Sequence, residues 1–179
     1  MRVFFAIEFN DEIKDYLFSL QQDVRKYCIG GNFSNRENFH LTLRFIGEQN
    51  LQQVEILKKL LKEVATATSR FELRLDNTGS FNKGNKKIIW AGLGKSIELQ
   101  HLYQSLEISL EKTGYQKEDR GYSPHITLAR EVRIGDAAVD ISKTSISSLP
   151  IIVNTISLME SARINNKLTY TALDRAELV

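Results

Sequence analysis

Cysteine and proline are nearly absent from this chain: one cysteine and two prolines stand among 179 residues, beside three histidines and a single tryptophan. The lone Cys28 excludes an intramolecular disulfide and reads as a small apolar residue near a helix end. No Cys-His cluster stands at zinc-ligand spacing. Long hydrophobic runs are missing too, since no stretch approaches the roughly 20 apolar residues that cross a bilayer. The N-terminal run Val3-Phe4-Phe5-Ala6-Ile7 is short for a signal-peptide core and closes at Glu8. Neither sign of charge dominates. A net charge of +2 suits a phosphate-bearing ligand and is too weak for broad duplex binding. A glycine-rich phosphate loop and a nucleophile elbow are both lacking. The expectation is a cytoplasmic protein without membrane attachment and with no cofactor. Its 42% hydrophobic content is enough for one core, and the absence of linkers makes residues 1–179 a single domain.

What is present is ordered. Residues 2–9 read as a buried strand. Asn10 caps a helix whose apolar face is Ile13, Leu17, Leu20 and Val24, with Gly30-Gly31 ending it. Asn50 and Gln53 form a capping box ahead of a second helix carrying Val54, Leu57, Leu61 and Val64. Residues 71–75 alternate as a strand, and Asn82-Lys83-Gly84-Asn85 turns a hairpin into residues 86–90. Leu99, Leu102, Leu106 and Leu110 mark a third helix stopping at Gly114. Residues 135–148 are short helix or loop, and 151–159 with 168–173 form a hairpin around Asn165-Asn166. The fold class is α+β, with antiparallel sheets backed by helices.

One short pattern, His-x-Thr-Leu, occurs twice: His40-Leu41-Thr42-Leu43 and His125-Ile126-Thr127-Leu128. On a strand, residues i and i+2 share a face, so each copy sets an imidazole beside a hydroxyl while its leucines turn to the core. The copies stand 85 residues apart. The same offset lays Val3-Phe4-Phe5-Ala6 on Ile88-Ile89-Trp90-Ala91 and the helix near Asp11 on the one near Ser96. The order strand, helix, His-x-Thr strand is therefore repeated, which predicts an internal duplication folded into two pseudo-symmetric lobes around a central cleft. Two imidazoles with ordinary pKa near 6.5 supply an acid and a base at neutral pH, and the threonine hydroxyls donate to non-bridging phosphoryl oxygens. That set suits in-line cleavage of a phosphodiester.

Through Asn38-Phe39-His40-Leu41-Thr42-Leu43-Arg44-Phe45-Ile46-Gly47, Pro124-His125-Ile126-Thr127-Leu128-Ala129-Arg130 and the opening Arg2-Val3-Phe4-Phe5-Ala6-Ile7, the chain resembles the RNA 2′,3′-cyclic phosphodiesterases, also called 2′-5′ RNA ligases, of the 2H phosphoesterase superfamily. The resemblance implies hydrolysis of RNA cyclic phosphate ends to 2′-phosphomonoesters without a metal. It also implies reverse 2′-5′ ligation, His40 as proton donor and His125 as proton acceptor. The partners implied are tRNA-like or oligonucleotide ends, met by a monomer. The loop Ser34-Asn35-Arg36-Glu37 lacks the prolines common in that family, and Asn165-Asn166 stands where its members often carry a glycine turn.

Around the two motifs, phosphate binding falls to Thr42, Thr127 and Arg130. Arg130 has the parity of Ile126 and Leu128, so it reaches the site only if the strand ends or bulges near Ala129. Arg44 shares parity with His40 and Thr42 and is a site candidate or a solvated strand end. Arg120 is a backbone-tracking candidate or an exposed loop arginine. Tyr122, Phe81 and Trp90 are stacking candidates or packing residues, and His101, without a threonine partner, is a surface residue. Two other readings stay open: a phosphodiesterase acting on small cyclic nucleotides or an exonuclease, and a non-catalytic RNA-end binding module.

Overall fold

The computed structural model describes every residue except Ala137. Asn10 Oδ1 accepts the Ile13 N–H at 3.0 Å and opens helix α1 (Asp11–Arg25), which follows strand β1 (Arg2–Glu8) and buries Ile13, Leu17, Leu20 and Val24. The helix ends at Arg25, short of Gly30-Gly31. Beyond it the chain joins the second lobe: the Ile29 N–H donates to Arg133 O at 2.9 Å, and a Cβ on Gly31 would meet Val132 Cγ2 at 2.8 Å. Gly31 thus permits a close backbone approach and is not the helix stop the sequence suggests.

After strand β2 (Asn32–Phe33) and strand β3 (His40–Glu48), the capping box forms as expected. Asn50 Oδ1 accepts from Gln53 N–H at 2.9 Å and Gln53 Oε1 from Asn50 N–H at 2.8 Å, starting helix α2 (Leu51–Thr66). Strands β4 (Phe71–Lys83) and β5 (Lys86–Leu93) form the predicted hairpin, with Gly84 at φ +63°. Helix α3 (Ile97–Lys112) is capped by Ser96 and ends as expected at Gly114, φ +93°, where Tyr115 N–H reaches back to Leu110 O. Strand β6 (His125–Val132) follows, then a 3-10 turn at Ile141–Lys143 within the segment that reads as helix or loop. No helix among the described residues is long and apolar enough to cross a membrane.

The segment 151–159 is not one strand. It divides at Asn154 into β7 (Pro150–Val153) and β8 (Thr155–Ile164), which lie in different sheets. Strand β7 is an edge with Ile152 63% exposed, whereas Ile156 to Met159 are buried on both faces because β8 runs between β1 and strand β9 (Lys167–Glu177). At the β8–β9 tip Asn165 and Asn166 take φ +50° and +63°, so two asparagines fill the left-handed turn positions that glycine otherwise favours.

Two antiparallel sheets result, in the orders β3-β1-β8-β9 and β2-β6-β5-β4-β7. This is the α+β architecture of two pseudo-symmetric lobes. β1-α1-β3 in one corresponds to β5-α3-β6 in the other, with Glu8 opposite His40 and Gly92 opposite His125. The pairing moves β1 onto β5 by 84 residues, not the 85 that relate the motifs. Phe5 and Ile7, both buried, therefore match buried Ile89 and Ala91, while Ala6 matches Trp90. The lobes are tied by crossing helices. α1, from the first, packs on β6 of the second, and α3 packs on α2.

A buried ion pair reinforces the tie: Arg44 Nε lies 2.7 Å from Glu107 Oε1, their side chains 13% and 6% exposed, and Glu107 Oε2 accepts the Glu118 N–H at 3.1 Å. Replacing Glu107 by Ala leaves Arg44 only the more exposed Glu118 as a carboxylate partner. We expect a loss of about 3 kcal/mol in urea unfolding, against no measurable loss if the pair is idle.

Candidate active site

Both motifs end in the same irregularity. On β3, Thr42 pairs with Ala6 and Arg44 with Phe5, so Leu43 is an extra residue; on β6, Thr127 pairs with Trp90 and Ala129 with Ile89, so Leu128 is extra. A bulge breaks the two-residue alternation and exchanges the faces of the residues after it, up to the next register shift. Leu128 and Ala129 are accordingly both buried, and Arg130 emerges on the face of His125 and Thr127, its Nη2 donating to Thr127 Oγ1 at 3.5 Å. The condition set by sequence parity for Arg130 is met.

The same device removes Arg44. Its parity with His40 and Thr42 is broken at Leu43, and its guanidinium turns instead to Glu107, Glu118 and the carbonyl of Gln116. Phe45 takes its place on the site face. The bulged carbonyls are held by side chains distant in sequence. The Tyr122 hydroxyl donates to Thr42 O at 3.1 Å, the Ser34 hydroxyl to Thr127 O at 2.9 Å, and the buried Gln21 amide to Leu128 O at 2.7 Å.

Each imidazole is oriented by the carbonyl two residues before it. His40 Nδ1 lies 2.7 Å from Asn38 O, and His125 Nδ1 2.8 Å from Ser123 O. A carbonyl only accepts, so Nδ1 carries the proton in both rings and Nε2 is the nitrogen left to accept one. His40 Nε2 lies 3.0 Å from Thr42 Oγ1. Aromatic edges brace the rings: Tyr170 meets His40 at 5.0 Å and Phe81 meets His125 at 5.0 Å, both near perpendicular, and Phe4 lies 4.9 Å from His40.

Burial pushes both imidazoles below the ordinary histidine value. For His40 the Asn38 carbonyl opposes the shift, the charges of Arg130 and His125 deepen it, and Glu8 opposes it. For His125 the Ser123 carbonyl opposes it and Arg130 deepens it. Glu8, directly opposite His40, is itself held below the usual carboxylate range. Burial raises its pKa, and hydrogen bonds from Arg175 and Ser157 outweigh that.

His40, Thr42 and Arg130 line a cavity of about 370 Å³ with Phe4, Phe45 and Tyr170. His125 and Thr127 are not in its wall; they stand on β6, which packs beside β3 although the two strands belong to different sheets. Arg130 is the shared member, in the cavity wall and bonded to Thr127. Of the aromatic candidates, Phe81 packs on Trp90 and on His125. Trp90 lies over Gly79, where a Cβ would meet its ring at 2.4 Å, and Tyr122 is stacked against Tyr103 at 4.1 Å. Arg120 and His101 are exposed. Among the described residues no three His, Cys, Asp or Glu side chains gather into a metal-binding group.

Tyr170, Phe4 and Asn38 escape sequence reasoning. Tyr170 stands 130 residues beyond His40, and Asn38 joins them: its side chain donates to Leu168 O at 2.8 Å and accepts Tyr170 N–H at 3.3 Å. The one available signal was the unbroken apolar run Val3–Ile7, which requires both faces of β1 to be covered and so puts Phe4 in a second apolar cluster with Tyr170.

Comparison with known proteins places this geometry. The family described as LigT like Phosphoesterase matches residues 7–90. The RNA 2′,3′-cyclic phosphodiesterase of Thermotoga maritima is 33% identical over 132 residues, 73% of this chain and 70% of that protein. The chain belongs to the LigT-like 2H phosphoesterase family. A second relative in it, the RNA 2′,3′-cyclic phosphodiesterase of Archaeoglobus fulgidus, is 28% identical over 79% of this chain and 78% of its own. A crystal structure from Thermus thermophilus superposes on this phosphoesterase with a TM-score of 0.85 and 26% identity, covering 99% of this chain and 98% of that one. The protein is thus an enzyme of the cyclic phosphodiesterase class.

Because Arg130 lowers both histidine pKa values through its charge, Arg130→Gln raises both. Histidine titration followed by NMR reads this directly as two midpoints at higher pH than in the unsubstituted enzyme, and unmoved midpoints would remove Arg130 from the site.

Proposed function

We propose that this 2H phosphoesterase hydrolyses 2′,3′-cyclic phosphate ends of RNA to 2′-phosphomonoesters, with His40 as general acid and His125 as general base. The observation that carries the reading is the matched pair of imidazoles, each with Nδ1 bound to the carbonyl two residues back and Nε2 left for proton transfer. Water loses a proton to His125 Nε2 as its oxygen forms a bond to phosphorus. The bond from phosphorus to the 3′ oxygen breaks, and that oxygen takes the proton from His40 Nε2. The histidines end with exchanged protonation states and are reset through solvent. Thr42, Thr127 and Arg130 hold the non-bridging oxygens as charge moves onto them.

The assignment of roles rests on an asymmetry. Ionised Glu8 lies opposite His40 and favours its imidazolium, whereas His125 has Gly92 opposite it, and no partner for its Nε2 is found among the described residues. With the 5′-hydroxyl of a second RNA end in place of water, the same groups in the same roles join the two ends through a 2′-5′ linkage: His125 takes the hydroxyl proton as the 5′ oxygen bonds to phosphorus, and the departing 3′ oxygen takes a proton from His40. The identical bulges after Thr42 and Thr127 support a single domain, residues 1–179, that arose by duplication.

The test is an oligoribonucleotide ending in a 2′,3′-cyclic phosphate, incubated with enzyme and EDTA, with 2′- and 3′-phosphate products resolved. A 2′-phosphate product is expected; a 3′-phosphate product reverses the two roles, and activity lost to chelation and restored by a divalent cation points to metal-assisted hydrolysis. His40→Ala and His125→Ala should each lower kcat by roughly 10²- to 10⁴-fold. The kcat/KM profile is expected to be bell-shaped, limited on the acid side by protonation of the base and on the alkaline side by deprotonation of the acid. With both pKa values lowered in the free enzyme, its maximum falls on the acid side of neutrality. A bound phosphate anion favours the imidazolium, so the alkaline limb of kcat lies at higher pH.

A further inference from the structure

We propose that a second cavity adjoining the catalytic one holds the nucleotide on the 5′ side of the cyclic phosphate, so that the enzyme selects RNA ends of two or more nucleotides over free mononucleotides. The proposal rests on the RNA-end reading above and adds a subsite to it. The second cavity, about 450 Å³, shares Arg130, Leu168 and Tyr170 with the catalytic cavity of about 370 Å³. Each is of the size that takes one nucleotide, and neither admits a duplex.

Charge identifies the occupant. The two cavities are lined by Arg2, Lys83, Arg130, Arg163 and Lys167, and by one carboxylate, Glu131, which is already held by Lys86. Among the described residues none of those five cations has a carboxylate within ion-pair distance. The lining carries a net charge of +4 (five cations against Glu131), while the whole chain carries +2, so the remainder of the protein is net negative. Such a concentration is unfavourable in the empty protein and is relieved by a polyanion.

Position identifies the polyanion as a single strand whose last phosphate is at the histidines. Lys83 stands at the β4–β5 turn of one lobe, and Arg163 and Lys167 flank the Asn165-Asn166 turn of the other, so the hairpin tips present cations to the cavity from both lobes. Arg130 joins this cavity to the catalytic one. Phe33 and Tyr170 in its wall supply ring surface for a base.

The experiment compares kcat/KM for uridine 2′,3′-cyclic phosphate with that for a tetraribonucleotide ending in the same group, in the unsubstituted enzyme and in Lys83→Gln/Lys167→Gln. Both lysines are exposed, and among the described residues no hydrogen bond or ion pair of their ammonium groups is found, so the substitutions leave folding intact. The unsubstituted enzyme should prefer the tetranucleotide at least tenfold. The double variant should lose most of that preference while keeping mononucleotide turnover within twofold. Its slope of log kcat/KM against log salt on the tetranucleotide should be shallower by about 1.4, roughly 0.7 for each cation removed. Equal rates on both substrates, or a variant that slows both alike, overturns the subsite. Fluorescence anisotropy with a labelled tetranucleotide ending in a 2′-phosphate separates the two readings. Absent turnover with lysine-dependent, length-dependent binding overturns the phosphodiesterase reading and supports the subsite. Turnover with lysine-independent binding does the reverse.

Discussion

The extra residue in each motif strand is the constraint on which the site depends. A strand alternates its faces with a period of two residues, so one inserted residue, Leu43 or Leu128, exchanges the faces of those that follow it up to the next register shift, at Ile46 on β3 and between Ala129 and Val132 on β6. In the first lobe this sends Arg44 into a buried pair with Glu107 and brings Phe45 to the cleft; in the second it brings Arg130 to the cleft and buries Ala129. One geometric device, used twice, produces two matched histidine-threonine pairs of which only the second is followed by an arginine on the site face, Arg130. The bulges persist because their carbonyls are satisfied, by Tyr122 and Gln21 from the opposite lobe and by Ser34 from the end of β2 in the same sheet. The cleft is therefore a consequence of the two lobes being docked, and neither lobe forms it alone.

Electrostatics completes what geometry begins. Carbonyls at Asn38 and Ser123 choose the tautomer, burial and Arg130 depress the basicity, and Glu8 restores part of it on one side only. Pseudo-symmetry supplies two imidazoles of the same kind; the difference between Glu8 and Gly92 at equivalent positions makes them unequal. An acid and a base drawn from the same residue type need such a difference, because two identical groups would share one proton without preference.

Much of this was legible in the residues. The Asn10 cap, the Asn50-Gln53 box, the Gly114 stop, the apolar faces of three helices and the turn at Gly84 follow from local chemistry and appear where that chemistry puts them. The division of 151–159 at Asn154 was not legible. Which sheet a strand joins depends on partners such as Phe71 and Phe5, distant in sequence, and an apolar run looks alike in either. The end of α1 was misplaced for a related reason: Gly31 answers to Val132, a neighbour a hundred residues away.

By itself the sequence determined which side chains stand together at the candidate site. His40, Thr42, His125 and Thr127 are set by a spacing of two on extended chain, and extended chain always turns residues i and i+2 to one side. Tertiary structure alone decided which arginine serves them, which aromatic rings brace them and which histidine faces a carboxylate. Those outcomes depend on register, on the two bulges and on the meeting of β3 with β6 and of Tyr170 with His40, and contacts across a fold leave no period in the chain for a reader to find.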